Sequence, residues 1–236
     1  MSFLIKVRHA VLPYLRRAAL FLVRLVPFLR PSLHRLGQIA GTDKVAPIHT
    51  HNGLSNAQVY EKYLREWRGR RFSLLEIGVY NGASLRMWRG YLRKAKVVGL
   101  DIDPRIERYA REGFEMIIGS QTDTELLDRA IKHDTRFVID DGSHVNELTI
   151  KTFEYVFPKL QAGSIYVIED THSCYEAALW TWPGMQYNDQ DLSLENKRED
   201  FDTFLAGLFE DCDLHGHERT VAYVHVWPDT IVIGRA

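Results

Sequence analysis

Two short polar stretches follow apolar runs: Asp140-Asp141-Gly142-Ser143-His144 after RFVI, and Glu169-Asp170 after IYVI. Carboxylates gathered in one place repel each other unless a cation holds them, and an all-oxygen set selects a hard ion such as Mg²⁺. Asp141, Glu169 and Asp170 are therefore the candidate metal ligands. An ion bound there is suited to chelate two neighbouring hydroxyls of a substrate and to stabilise an alkoxide. His144 stands three residues beyond Asp141. An imidazole, titrating near ~6.5 in the open, suits the removal of a hydroxyl proton at neutral pH, so His144 is the candidate general base. Alone, DDGSH reads as a helix start, with Asp140 and Ser143 as N-caps and His144 on the surface. The second acidic pair at a neighbouring tip favours a metal site.

The elements that must position these groups alternate in type. SLLEIGVYNG (73–82) reads as a strand entering a glycine turn, and SLRMWRGYLRKA (84–95) has helical spacing, with Leu85, Trp88, Tyr91 and Leu92 on one face. KVVGLDID (96–103), FEMIIGS (114–120), RFVIDDGSH and GSIYVIED (163–170) read as further strands, separated by helical stretches. PRIERYAREG opens with proline and closes with a C-cap glycine. Five apolar runs alternating with helices predict an α/β fold, a parallel sheet covered on both faces. RTVAYVHVW and TIVIGRA, joined by Pro-Asp, predict a final antiparallel pair of strands. The polar, aromatic stretch 173–218 reads as an insertion, and its Tyr175, Trp180, Trp182 and Tyr187 are read either as sugar-stacking rings or as local core.

In such sheets ligands bind beyond the carboxyl ends of the strands. The first tip reads E-x-G-x-x-x-G (Glu76, Gly78, Gly82), not the G-x-G-x-x-G of a dinucleotide fold. Asp101 ends the next strand, where a ribose diol would be gripped. The pair points to a nucleoside-bearing cofactor of the S-adenosylmethionine type. The pairs His49/His51 and His215/His217 have no further cysteine or histidine nearby and read as exposed turns, not zinc sites.

The order GTDK, LLEIGVYNGASL, GLDID, IDDGSH, VIED, over residues 41 to 172, resembles the metal-dependent sugar O-methyltransferases of the mycinamicin and macrocin type. The resemblance implies a class I methyltransferase (Rossmann-like) fold, a doubly wound, mostly parallel seven-stranded sheet with a C-terminal antiparallel hairpin. It implies S-adenosylmethionine and Mg²⁺ as cofactors, Asp141, Glu169 and Asp170 as metal ligands, and His144 as catalytic base. It maps cofactor binding to Glu76, Gly78, Gly82, Asp101, Ser120, Gln121 and Asp140, with the turn residues Tyr80, Asn81 and Ser84 beside them. The expected activity is methylation of a sugar hydroxyl. Two other readings are a catechol-type enzyme acting on a phenol, and a membrane-attached protein that holds the cofactor without catalysis.

Charge divides the chain. Residues 1 to 42 carry seven Lys and Arg and no acid, so with a net charge of -1 the remainder sums to -1 - 7 = -8. An acidic body argues against a nucleic-acid partner. Residues 1–40 form a basic segment too interrupted by arginine to span a bilayer and unlike a signal peptide. At 100° per residue, Lys6, His9, Arg16, Arg17 and Arg24 share one side and Arg8 falls off it, which predicts an amphipathic helix broken near Pro13 and Pro27. Its apolar side fits packing on its own domain, on a second subunit, or on an anionic membrane through residues 1–38. Residues 41–236 form the methyltransferase domain of this reading. Two cysteines without a spacing motif, Cys174 and Cys212, suit a reducing, cytoplasmic location.

Overall fold

The computed structural model describes residues 3–26, 29–46, 53–175, 196–214 and 219–236. The chain divides into two compact units, residues 72–81 with 96–236, and residues 1–71 with 82–95.

The larger unit is built on seven strands: β1 (Ser73–Ile77), β2 (Lys96–Asp101), β3 (Glu115–Ile118), β4 (Thr135–Asp140), β5 (Ile165–Glu169), β6 (Val221–Trp227) and β7 (Thr230–Arg235). They lie in the order β3-β2-β1-β4-β5-β7-β6. The first five pair in parallel, and β7 runs antiparallel to both β5 and β6. Strands covered on both faces carry unbroken apolar runs, and every residue of β1 and β5 is buried. β6, at the sheet edge, is largely half-exposed.

The two strands flanking β1 are β2 and β4, so the winding reverses there and opens a crevice at the carboxyl ends. Helices α5 (Thr124–Ala130) and α6 (Asn146–Val156) belong to this unit, as does α7 (Arg198–Asp213), a helix inside the stretch that the sequence presents as a polar insertion. Its signal is nonetheless in the sequence: Phe201, Phe204, Leu205, Leu208 and Cys212 recur at helical spacing and face the core. Phe153 stacks on Phe157 (centroids 4.6 Å apart) and meets Tyr166 and Phe204 edge-on at 5.1 Å. Residues 104–112 form a 3₁₀ helix ending at Gly113 (φ 83°).

The smaller unit holds four helices: α1 (Phe3–Leu25), α2 (Leu33–Ala40), α3 (Asn56–Leu64) and α4 (Ala83–Tyr91). Ser32 caps α2, and Ser55 with Gln58 forms a capping box on α3. Leu85, Trp88, Tyr91 and Leu92 are buried together with Tyr60, as the helical spacing requires. α1 runs through Pro13 without the expected break. Pro13 is exposed, so the backbone acceptor it leaves without an amide partner lies toward solvent. Pro27 lies outside the described residues.

Candidate active site

The turn after β1 and the tip of β4 touch through their backbones. The Asp141 amide donates to the Ile77 carbonyl at 2.9 Å. Gly78 has φ 83°, and a Cβ there would fall 1.8 Å from the Asp141 carbonyl oxygen. No side chain fits, which is the physical reason for glycine at this point of the motif. Asp101 Oδ2 accepts from the amides of Val79 (2.7 Å) and Tyr80 (2.9 Å), and Oδ1 from that of Asp103 (2.9 Å). The carboxylate thus holds the turn with Tyr80 at φ 47° and keeps acceptor capacity for a further donor. Glu76 is fully buried in β1, in register with Gly99 of β2 and Ile139 of β4. Asn81 ends the turn, while Gly82 (φ 67°) and the buried Ser84 open α4 in the helical unit.

Beneath the β4 tip, two residues assigned to the cofactor in the sequence turn into the protein. Asp140 is 2% exposed, and the Tyr166 hydroxyl donates to its Oδ2 at 2.7 Å. Burial pushes the Asp140 pKa from its ordinary 3.8 up to about 6, against the opposing pull of the Tyr166 hydrogen bond. Gln121 Oε1 accepts from the Ser143 amide (2.8 Å), and Nε2 donates to Thr152 Oγ1 of α6 (3.1 Å). Gly142 lies against both groups, and a Cβ there would sit 2.4 Å from Gln121 Oε1 and 3.2 Å from Asp140 Oδ1. Asp140 and Gln121 therefore brace the turn that carries Asp141 and His144. Ser120 pairs with Thr122 at 3.1 Å.

Above that brace, Asp141, His144 and Asp170 converge. His144 Nε2 lies 3.7 Å from Asp141 Oδ1 and 3.7 Å from Asp170 Oδ2. One ligand atom from each of the three residues falls within 4.8 Å of the others. Asp141 and Asp170 thus offer carboxylate oxygens of the kind a hard ion takes, beside the His144 imidazole. Glu169, the last residue of β5, is buried opposite Thr230 of β7 and does not join the three converging groups.

His144 (φ 56°) and Asp170 (φ 52°) both hold left-handed backbone, a strained state for residues with a Cβ. A buried amide pair holds them there, and no motif signalled it. Asn196 Nδ2 donates to the carbonyls of His144 (2.9 Å) and Ser173 (2.8 Å), and its Oδ1 accepts from the Asn146 amide (2.8 Å). Asn146 Nδ2 donates to the carbonyls of Cys174 and Lys197. Ser173 Oγ in turn donates to the Asp170 carbonyl at 2.7 Å. On the other side, at the β6–β7 tip, Asp229 Oδ1 lies 3.1 Å from His172 Nδ1, and the Asp229 backbone carbonyl accepts from the Thr171 amide (3.3 Å).

Tyr175 is 44% exposed, with its ring edge-on to Phe201 at 5.8 Å. Trp180, Trp182, Tyr187 and the histidines 49, 51, 215 and 217 lie outside the described residues.

The sheet order and the antiparallel final pair define the class I methyltransferase fold. Residues 75–171 match the family model described as a methyltransferase domain. The chain is 36% identical over 134 residues to a mycinamicin VI 2''-O-methyltransferase of Micromonospora griseorubida, covering 53% of this chain and 32% of that protein. It is 35% identical over 164 residues to an L-olivosyl-oleandolide 3-O-methyltransferase of Streptomyces antibioticus, covering 65% and 39%. Its structure resembles that of MycE, a methyltransferase of the mycinamycin pathway solved with Mg, SAH and mycinamycin VI. The TM-score is 0.66 at 29% identity, over 88% of this chain and 55% of that one. The resemblance read from the motifs thus holds, and the chain spans well under half the length of these two curated relatives.

Proposed function

We propose that the protein transfers a methyl group from S-adenosylmethionine to a hydroxyl of a sugar, with Mg²⁺ as the metal. The observation that carries this is the convergence of Asp141, His144 and Asp170 at the tips of β4 and β5. The sugar O-methyltransferases to which the chain is similar, and the Mg and SAH bound by MycE, support it.

In this reading Asp141 and Asp170 hold the ion, which supplies charge neutralisation at the acceptor oxygens. His144, braced through its own carbonyl, takes the proton from the acceptor hydroxyl. The Gly78 turn and the remaining acceptor site of Asp101 bind the nucleoside of the cofactor. Positioning of the two reactants supplies much of the rate, since the acceptor oxygen must approach the methyl carbon in line. The free cysteines Cys174 and Cys212 support a cytoplasmic location.

The test is calorimetry of S-adenosylmethionine with Mg²⁺ and with EDTA, followed by transfer assays on glycosides with vicinal hydroxyls. Cofactor binding with Mg²⁺-dependent transfer is expected. Transfer to catechols alone replaces the sugar, and absence of cofactor binding removes the reading altogether. Replacing His144 by Ala should abolish turnover and leave cofactor affinity intact.

A further inference from the structure

Among its side chains described from Val11 to Leu25, helix α1 buries a narrow seam. Leu20 is buried, with Leu12, Arg16, Ala19 and Val23 half-buried on the same side. The opposite side is apolar and open to water: Tyr14 is 71% exposed, Leu15 60%, Phe21 62%, Leu22 61% and Leu25 59%. At 100° per residue these five and Val11 occupy a sector of roughly 120° centred on Ala18, the width of a helix face made to be covered. A contiguous apolar face of this kind marks an interaction surface.

Charge identifies what covers it. The segment through residue 42 carries seven cations and no acid, and Arg17, Arg30 and Arg35 are exposed. Pairing with the same helix of a second copy would set its five cations, Lys6, Arg8, Arg16, Arg17 and Arg24, against five. Among the described residues no helix is long and apolar enough to cross a membrane. An apolar face with cations and no anions suits a helix lying flat in an anionic bilayer surface.

We propose that α1 docks the protein on an anionic lipid surface, with Tyr14, Leu15, Phe21, Leu22 and Leu25 entering the boundary of headgroups and acyl chains and Arg17 and Arg30 among the phosphates. Docking is independent of catalysis. Taken with the methyltransferase reading, on which this second part rests, it assigns the acceptor to glycans held at a membrane.

The test is flotation of the full chain with phosphatidylcholine vesicles, with and without phosphatidylglycerol. The chain floats with the anionic vesicles, is released by salt, and stays behind with pure phosphatidylcholine. Replacing both Leu22 and Leu25 by Ser lowers partitioning by about 100-fold. Arg17→Gln lowers it about fivefold. Both variants replace exposed side chains, and unchanged thermal unfolding and unchanged cofactor binding confirm that they fold. Failure of the chain to float overturns the proposal and leaves the methyl-transfer assays untouched. Equal flotation of the Leu22/Leu25 variant overturns it too. So does a dimer in solution that this variant splits while no vesicle takes up the chain, which makes the face a self-interface.

Discussion

Asn196 Nδ2 lies 2.9 Å from the carbonyl oxygen of His144 and 2.8 Å from that of Ser173, so one buried amide ties the turn after β4 to the turn after β5. Each of those turns carries a residue in left-handed backbone at the candidate site. Asn196→Ala removes both bonds and also the acceptor of the Asn146 amide. Buried groups left without partners cost about 1–3 kcal/mol. Turnover should fall about 10- to 100-fold, because sub-ångström positioning is lost, while S-adenosylmethionine affinity changes little. Asn196→Asp keeps the acceptor and loses the donors, so it should show the same split between turnover and affinity. Steady-state kinetics beside cofactor calorimetry check this. Unchanged turnover in both variants would make the amide an ordinary core group.

Gly78 and Gly163 separate backbone strain from contact. Both have positive φ (83° and 78°), but nothing lies within 4 Å of a Cβ at Gly163. Gly163→Ala should cost only the left-handed penalty, about 1–2 kcal/mol. Gly78→Ala adds a Cβ where the Asp141 carbonyl stands, so it should destabilise more and also weaken Mg²⁺ binding by displacing Asp141. Chemical denaturation and metal titration of both variants provide the comparison. Equal effects on metal affinity would argue against the coupling.

Alternation of apolar runs with helical spacing made the five parallel strands and the final hairpin legible, because burial on both faces forces unbroken apolar sequence. The identity of the converging groups was legible in part. Asp141, His144 and Asp170 meet, since they follow directly from strand tips whose order topology fixes. Glu169 is their chain neighbour, yet as the last strand residue it is held in register with Thr230. For Asp140 and Gln121, only packing reveals that the Tyr166 hydroxyl and the Ser143 amide donate to their side chains. Asn196 lies inside the 173–218 insertion, and no local pattern tells which distant carbonyls its amide reaches. Helix α7 carries its period in Phe201, Phe204, Leu205, Leu208 and Cys212, among acidic residues that mask it.

The metal assignment predicts an ordered series. Loss of an outer-shell partner typically costs 10- to 100-fold in metal affinity, so loss of a ligand should cost at least about 100-fold. Asp141→Asn and Asp170→Asn should each weaken Mg²⁺ or Mn²⁺ binding by that amount and abolish transfer. Glu169→Gln should weaken it less, given where its side chain begins. Isothermal titration with Mn²⁺ gives the order. A loss at Glu169 equal to that at Asp170 would make Glu169 a direct ligand.

Asp140 predicts a pH dependence of stability in metal-free protein. Its native pKa is raised from 3.8 to about 6 because burial disfavours the anion. Below 3.8 the group is protonated in both folded and unfolded chains and contributes no penalty. As pH rises, the unfolded chain ionises first, so stability is lost between about 4 and 6 and the penalty is complete above that. A shift of this size corresponds to at most about 3 kcal/mol. Asp140→Asn cannot ionise and still offers an oxygen to the Tyr166 hydroxyl, so it should flatten this part of the profile. Tyr166→Phe removes the donor that favours the anion, so the loss should begin at the same pH and extend to higher pH. Denaturation midpoints in EDTA across pH 4 to 7, for the three proteins, decide the matter: parallel profiles would mean that Asp140 is not the group that titrates.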